Sequence, residues 1–128
     1  MSGGIVKKLC MKKIGVITQE VIDILHLACT AGTPIFLGES NIKHMQEKHK
    51  YDFLIYGDDI SLIIAKPDYI ALNKDKSIEY VKEYQRDNEF VKVAVKVNLS
   101  GNYFARTLYV LNSKRVQDFI AKGTLKKI

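Results

Sequence analysis

Two histidines, His44 and His49, stand five positions apart in "ESNIKHMQEKHK", the lysine-rich stretch over residues 39–50. An imidazole with an ordinary pKa near ~6.5 can accept one proton and deliver another at neutral pH. Such a pair could bind a metal, exchange protons with a substrate, or decorate a solvated helix. Helical metal pairs want i, i+4 spacing, so that both rings reach one ion. On a helix over residues 41–50 these two would lie about 140° apart at 100° per residue, and no cysteine or acid cluster stands at ligand spacing. No metal or other cofactor is therefore expected. Proton transfer stays open, because the "KYDF" that follows reads as a fraying end from which His49 could swing toward a neighbouring sheet. His26, alone in an apolar helical segment, reads as an ordinary surface or core residue.

Proton transfer at a phosphodiester asks for a base, an acid, and fixed cations or donors around the charged phosphorus. Candidates for the last group come from the C-terminal half, where the apolar period changes to two. "FVKVAVKVNLS" sets Val91, Val93, Val95, Val97 and Leu99 on one side, and Lys92, Ala94, Lys96 and Asn98 on the other. "SGN" is a turn and "YFARTLYVLN" returns, which predicts a hairpin. The valine face belongs against the core, since burial stabilises each such side chain by roughly 1.5–3 kcal/mol.

Lys92 and Lys96 then look outward. Parity on the return strand groups Phe104, Arg106, Leu108 and Val110 with the valines, and leaves Tyr103, Ala105, Thr107 and Tyr109 outside. "SIEYVKEYQ" offers Tyr80, Lys82 and Tyr84 to the same outer face. Lysines there would neutralise phosphates, tyrosines would stack on bases, and hydroxyls would bond phosphate or ribose. The same residues are also the ordinary make-up of a solvated antiparallel face. Arg106 breaks the pattern, because parity sends it inward. It reads as a buried partner for an acid, a snorkelling strand end, or a residue re-aimed by a bulge.

The elements that must position these side chains are legible upstream. "KKIGVI" opens with a short strand over residues 14–17, and Thr18 stands as N-cap before "QEVIDILHLA", whose Val21, Ile22, Leu25 and Ala28 repeat at helical spacing. Gly32 and Pro34 stop that helix. Residues 35–37 read as a brief strand, and Ser40 as the N-cap of the histidine helix. "DDISLIIAKPDYI" predicts a second short helix capped by Asp58 or Asp59, with Ile60, Ile63 and Ile64 inward and Pro67 beyond its end. "YIALN" begins the strands, and "SKRVQDFIAKG" closes the chain as a helix with Val116, Phe119 and Ile120 inward. The expected class is α+β: helices packed on one face of a four- or five-stranded antiparallel sheet, with a C-terminal helix.

At 128 residues the chain fits a single domain and can close one core without staples. Apolar residues make up 47% and charged residues 27%, a balance that excludes a disordered chain. No apolar run approaches the ~20 residues of a membrane helix, so no membrane partner is expected. "MSGGIVKKLCMKKIGVI" has no uninterrupted apolar stretch, and it is read as no signal peptide. Cys10 and Cys29 form no CxxC pair and read as idle thiols in a reducing, cytoplasmic setting. The net charge of +6 suits an anionic partner, nucleic acid first.

Four stretches together carry a resemblance: "LGESNIKHMQEKHK", "IIAKPDYIALN", "IEYVKEY" and "GNYFARTLYVLNSKRVQDFIAKGTL". In that order they resemble the phage- and mobile-element-associated branch of the barnase–EndoU–colicin–RelE-like nucleases. The likeness covers about residues 35–125, with residues 1–34 as a strand and helix leading into it. It implies helices against an antiparallel sheet, and metal-independent cleavage of RNA, tRNA or mRNA among the candidates. It also implies a toxin-like or a phage- or mobile-element-associated protein, with an inhibitor or antitoxin among the candidate partners, acting in its own or a target cell's cytoplasm. Carried over by position, the catalytic set would be His44, His49, Lys82, Arg106, Thr107 and Tyr109, with His49 as base or acid and His44 as its partner or a substrate contact. Lys92, Lys96, Tyr80 and Tyr84 would bind substrate. Two other readings stand beside it: a non-catalytic basic module using the same sheet face, and a docking domain anchored by the tyrosines of "IEYVKEY".

Overall fold

The computed structural model describes residues 11–128. Cys10 and the charged start, on which the readings of an idle thiol and of no signal peptide drew, lie outside the described residues. The chain runs β1 (Met11–Val16), α1 (Gln19–Leu25), β2 (Pro34–Gly38), α2 (Glu39–Lys48), α3 (Lys50–Tyr56), a 3-10 turn (Gly57–Asp59) and α4 (Ile60–Ala65). β3 (Tyr69–Leu72), β4 (Ile78–Tyr84), β5 (Glu89–Val97), β6 (Tyr103–Leu111), α5 (Ser113–Ala121) and β7 (Lys126–Lys127) complete it. The strands form one seven-stranded sheet in the order β1-β2-β6-β5-β4-β3-β7.

The class is α+β as expected, but the sheet is larger than four or five strands and is mixed. β2 pairs parallel to β6 through Ile35 with Tyr103 and Phe36 with Phe104, while the other ladders are antiparallel. That parallel pairing follows from the connection. α2, α3, α4 and three strands intervene between β2 and β6, so β2 returns to the sheet by a crossover instead of a hairpin turn. β1 joins β2 at one edge, and α1 packs into the common core, so residues 11–34 are built into the fold.

The inner face of the sheet carries the main core. Val91, Val93 and Val95 of β5 are fully buried beside Ile78 and Tyr80 of β4 and Ala105 and Leu108 of β6. Helices α1 and α4 cover this face through Val21, Ile22 and Leu25, and through Ile60, Ile63 and Ile64, as their apolar spacing requires. Thr18 caps α1 by accepting the Val21 N–H at 3.3 Å. The valine face ends at Val95: Val97 is 37% exposed and Leu99 lies fully in solvent, beyond the helices' reach.

Helices do not keep to one face. α5 packs on the outer side, where Val116 and Leu125 close a second cluster over Ala71, Val81 and Phe90, with Phe119 and Ile120 beside them. β4 is therefore covered on both sides, and its alternation does not separate core from solvent. Tyr80 is 1% exposed and belongs to the main core, and Tyr84 packs against that core from the same side. Lys82 sits between them on the inner side and donates to the Lys66 carbonyl at 3.0 Å. The expected outer face shared by Tyr80, Lys82 and Tyr84 is thus corrected.

Parity also fails in the first half of β6. Ala94 pairs with Thr107 but Val95 pairs with Ala105, so Arg106 is the extra residue of a bulge. Leu108 and Val110 face inward as expected. Below the bulge the pattern reverses: Ala105 is fully buried, Tyr103 packs against the core, and Phe104 turns out to meet Phe36 with ring centroids 5.9 Å apart. Of the three readings of Arg106, the bulge is the one observed.

Candidate active-site cleft

β2 pairs with β6 only at Tyr103 and Phe104, which leaves the rest of that edge of β6 to be covered by other elements. α2 and α3 take that place. Gly38 stands at the start of α2, and its N–H donates to Asn41 Oδ1 at 2.9 Å, so the cap comes from Asn41 and not from Ser40. Met45 is fully buried, which anchors the core side of α2 and turns His44, Ser40 and Asn41 toward the outer face of the sheet.

α2 ends at Lys48, and a new helix starts at Lys50. His49 is the joint between them, with φ −137° and ψ 56°. The "KYDF" expected as a fraying end is the first turn of α3. Asp52 in that turn accepts the Val110 N–H of β6 at 3.0 Å, which ties α3 to the strand edge. Held there, the His49 ring stacks on Tyr109 with centroids 4.8 Å apart and planes 22° from parallel.

The outer face between this edge and the β3–β4 turn forms a cleft of about 480 Å³. One wall is α2, with Ser40, Asn41 and His44. The opposite wall is the turn, with Asn73, Asp75 and Ser77. The floor is the sheet: Glu79, Lys92, Ala94, Lys96, Thr107 and Tyr109, with Arg106 projected into the cleft by the bulge. Six of the ten residues expected from sequence come together here, namely His44, Lys92, Lys96, Arg106, Thr107 and Tyr109. His49 stands behind Tyr109, whereas Lys82, Tyr80 and Tyr84 lie on the far side of the sheet.

Sequence reasoning missed the carboxylates of this cleft. Glu79 lies opposite Ala94 on β4 and reaches the neighbouring Lys92, whose Nζ is 3.1 Å from Glu79 Oε2 with both side chains largely buried. Lys92 Nζ is also 4.7 Å from the Tyr109 ring centroid. Desolvation pushes the Lys92 pKa down, but Tyr109 and then Glu79 outweigh it, and the net shift is upward. Lys92 is therefore a permanent cation, paired to its own carboxylate. Tyr109 is gripped by His49 from the helix side and Lys92 from the strand side.

Asp75 is held below the usual carboxylate range, first by the Ser77 hydroxyl and backbone N–H and also by Lys96, whose Nζ lies 3.6 Å away. Arg106 forms no ion pair among the described residues. The only signal for Glu79 was its place opposite Tyr80 and on the same face as Val81, which becomes readable once β4 is known to point Glu79 outward.

Cations, hydroxyls and an imidazole around one open hollow can hold a charged tetrahedral or pentavalent centre and move a proton at it. Over residues 12–118 the chain matches the family described as phage-Barnase-EndoU-ColicinE5/D-RelE like nuclease3. No curated protein and no solved structure matches the chain.

Proposed function

Since this chain belongs to the phage-Barnase-EndoU-ColicinE5/D-RelE like nucleases, we propose that its cleft is the active site of a metal-independent endoribonuclease. The carrying observation is that His44 of α2, Lys96 of β5 and Arg106, Thr107 and Tyr109 of β6 line one hollow. The substrate is RNA in this reading because the nucleophile is its own 2′-hydroxyl. The 2′-oxygen attacks phosphorus, a base takes its proton, and the P–O5′ bond breaks as an acid protonates the departing 5′-oxygen. The products are a 2′,3′-cyclic phosphate and a free 5′-hydroxyl.

His44 is the proton-transfer group within reach of substrate, being exposed on the cleft wall. Tyr109 is the second, a phenol on the floor beside the Lys92 cation. Lys96 and Arg106 hold the charged phosphorane, and Thr107 orients it. His49, occupied with Tyr109, acts by fixing that ring in place. The sequence expectation made His49 the base or acid and His44 its partner or a substrate contact; the stack of His49 on Tyr109 supports giving the proton transfer to His44 instead.

Purified protein incubated with labelled RNA and a metal chelator should cleave it, leave cyclic phosphate ends, and spare DNA of the same sequence. His44→Ala should lower the rate by about 10²-fold, the scale of losing a proton-transfer group. His49→Phe keeps an aromatic stack without a titrating nitrogen and should retain most activity, whereas His49→Ala should not. Retention of RNA without cleavage would overturn the enzyme and leave a binding module.

A further inference from the structure

A second groove, about 380 Å³, continues from the cleft between α5 and the sheet. The two hollows share Asn73, Glu79, Lys92 and Tyr109, so the Glu79–Lys92 pair and the Tyr109 ring form a ridge between them. The far side of the groove has a different character. Leu111 and Phe119 offer apolar surface over the buried Val116 and Leu125, and Asn112 and Thr124 bring an amide and a hydroxyl. The exposed Arg115 sets its guanidinium 5.6 Å from the Phe119 ring centroid. None of these residues has a part in the proposed proton transfer.

We infer that this groove is a nucleotide subsite, seating one unpaired base of the RNA next to the scissile phosphodiester while Arg115 takes the adjoining phosphate. The inference rests on the ribonuclease reading for its ligand, and three features of the groove carry it. A flat apolar surface with a few amide and hydroxyl groups fits a nucleobase, which has a π face and a polar edge. Its volume lies within the roughly 300–1,000 Å³ of small-ligand sites. Its cation is unpaired with any carboxylate among the described residues, whereas Lys92 on the ridge is consumed by Glu79. A strand laid from Arg106 over the ridge thus meets its next cation without a carboxylate partner at Arg115. A base still paired in a helix could not turn into the groove, so the substrate is single-stranded at this position.

The test uses the full chain and a short single-stranded RNA made uncleavable by 2′-O-methylation, with binding read by fluorescence anisotropy. Arg115→Ala and Phe119→Leu should each weaken binding roughly tenfold, as loss of a stacking or phosphate contact does. The same RNA in duplex form should bind less tightly to the wild type. Binding of the single strand by both variants at wild-type strength overturns the subsite, as does equal affinity for the duplex or no binding by the wild type. A wild type that binds but never cleaves, with both variants weakened, removes the ribonuclease and keeps the subsite.

Discussion

The Tyr80 hydroxyl is buried without a hydrogen-bond partner among the described residues. Burial raises its pKa well above the ordinary phenol value, with a smaller contribution from Cys29. The neighbouring tyrosines differ. Tyr84 donates to Asp59 at 2.8 Å and Tyr56 donates to Glu89, so their hydroxyls are satisfied where they are sheltered. An unpaired buried hydroxyl costs about 1–3 kcal/mol in lost hydration. Tyr80→Phe removes the oxygen and keeps the ring, and it should raise the unfolding free energy by about 1 kcal/mol in a urea titration. Tyr84→Phe should lower it by a similar amount, because there a made bond is lost. No change or a loss on Tyr80→Phe would mean that the hydroxyl has found a partner. Sequence could not foresee this contrast. Tyrosine suits a solvated strand face and a core equally, and alternation along β4 says only that Tyr80 and Tyr84 point the same way, not which way.

Several elements whose signals are local were read correctly, although the Ser40 cap and the length of α1, which stops at Leu25, were not; those set by contacts across the fold were missed. The hairpin of β5 and β6, the Thr18 cap and the isoleucine edge of α4 follow from spacing alone. The bulge at Arg106 does not, because one extra residue leaves the composition of the strand unchanged and reverses the facing of everything before it. The break at His49 is also a product of tertiary contact. Asp52 satisfies Val110 at a stretch of strand edge that β2 leaves uncovered, and this latch draws α3 onto β6. Asp52→Ala would strand a part-buried N–H and remove a charge-assisted bond, for which a loss of about 1.5–3 kcal/mol is expected. Denaturation would measure that loss. RNA cleavage at a temperature where the variant is still folded should fall as well, since His49 hangs from the same joint. An Asp52→Ala protein with full activity would show that the joint is held by the buried Met45 alone.

At the scale of the molecule, the cleft gathers residues from α2, the β3–β4 turn and the β5–β6 hairpin, far apart in the chain and joined only by the mixed order of the sheet. The lysine-rich composition and the shared outer face of Lys92 and Lys96 were legible; the place of Lys82 was not, since α5 covers the outer side of β4 and Lys82 points to the inner one. That division has a measurable consequence. Each phosphate neutralised on a single strand releases counterions and contributes about −0.7 to the slope of log affinity against log salt. With Lys96, Arg106 and Arg115 as the contacts, the slope should be about −2. Arg106→Ala and Arg115→Ala should each flatten it by about 0.7. Lys82→Ala should leave it unchanged, although it deletes the same formal charge, because its ammonium lies across the sheet from the cleft and is spent on the Lys66 carbonyl. Anisotropy titrations with uncleavable RNA between roughly 50 and 200 mM salt span the range where the effect is large. If Lys82→Ala flattened the line as much as Arg106→Ala, net charge would govern binding, and the cleft would have no claim to the RNA.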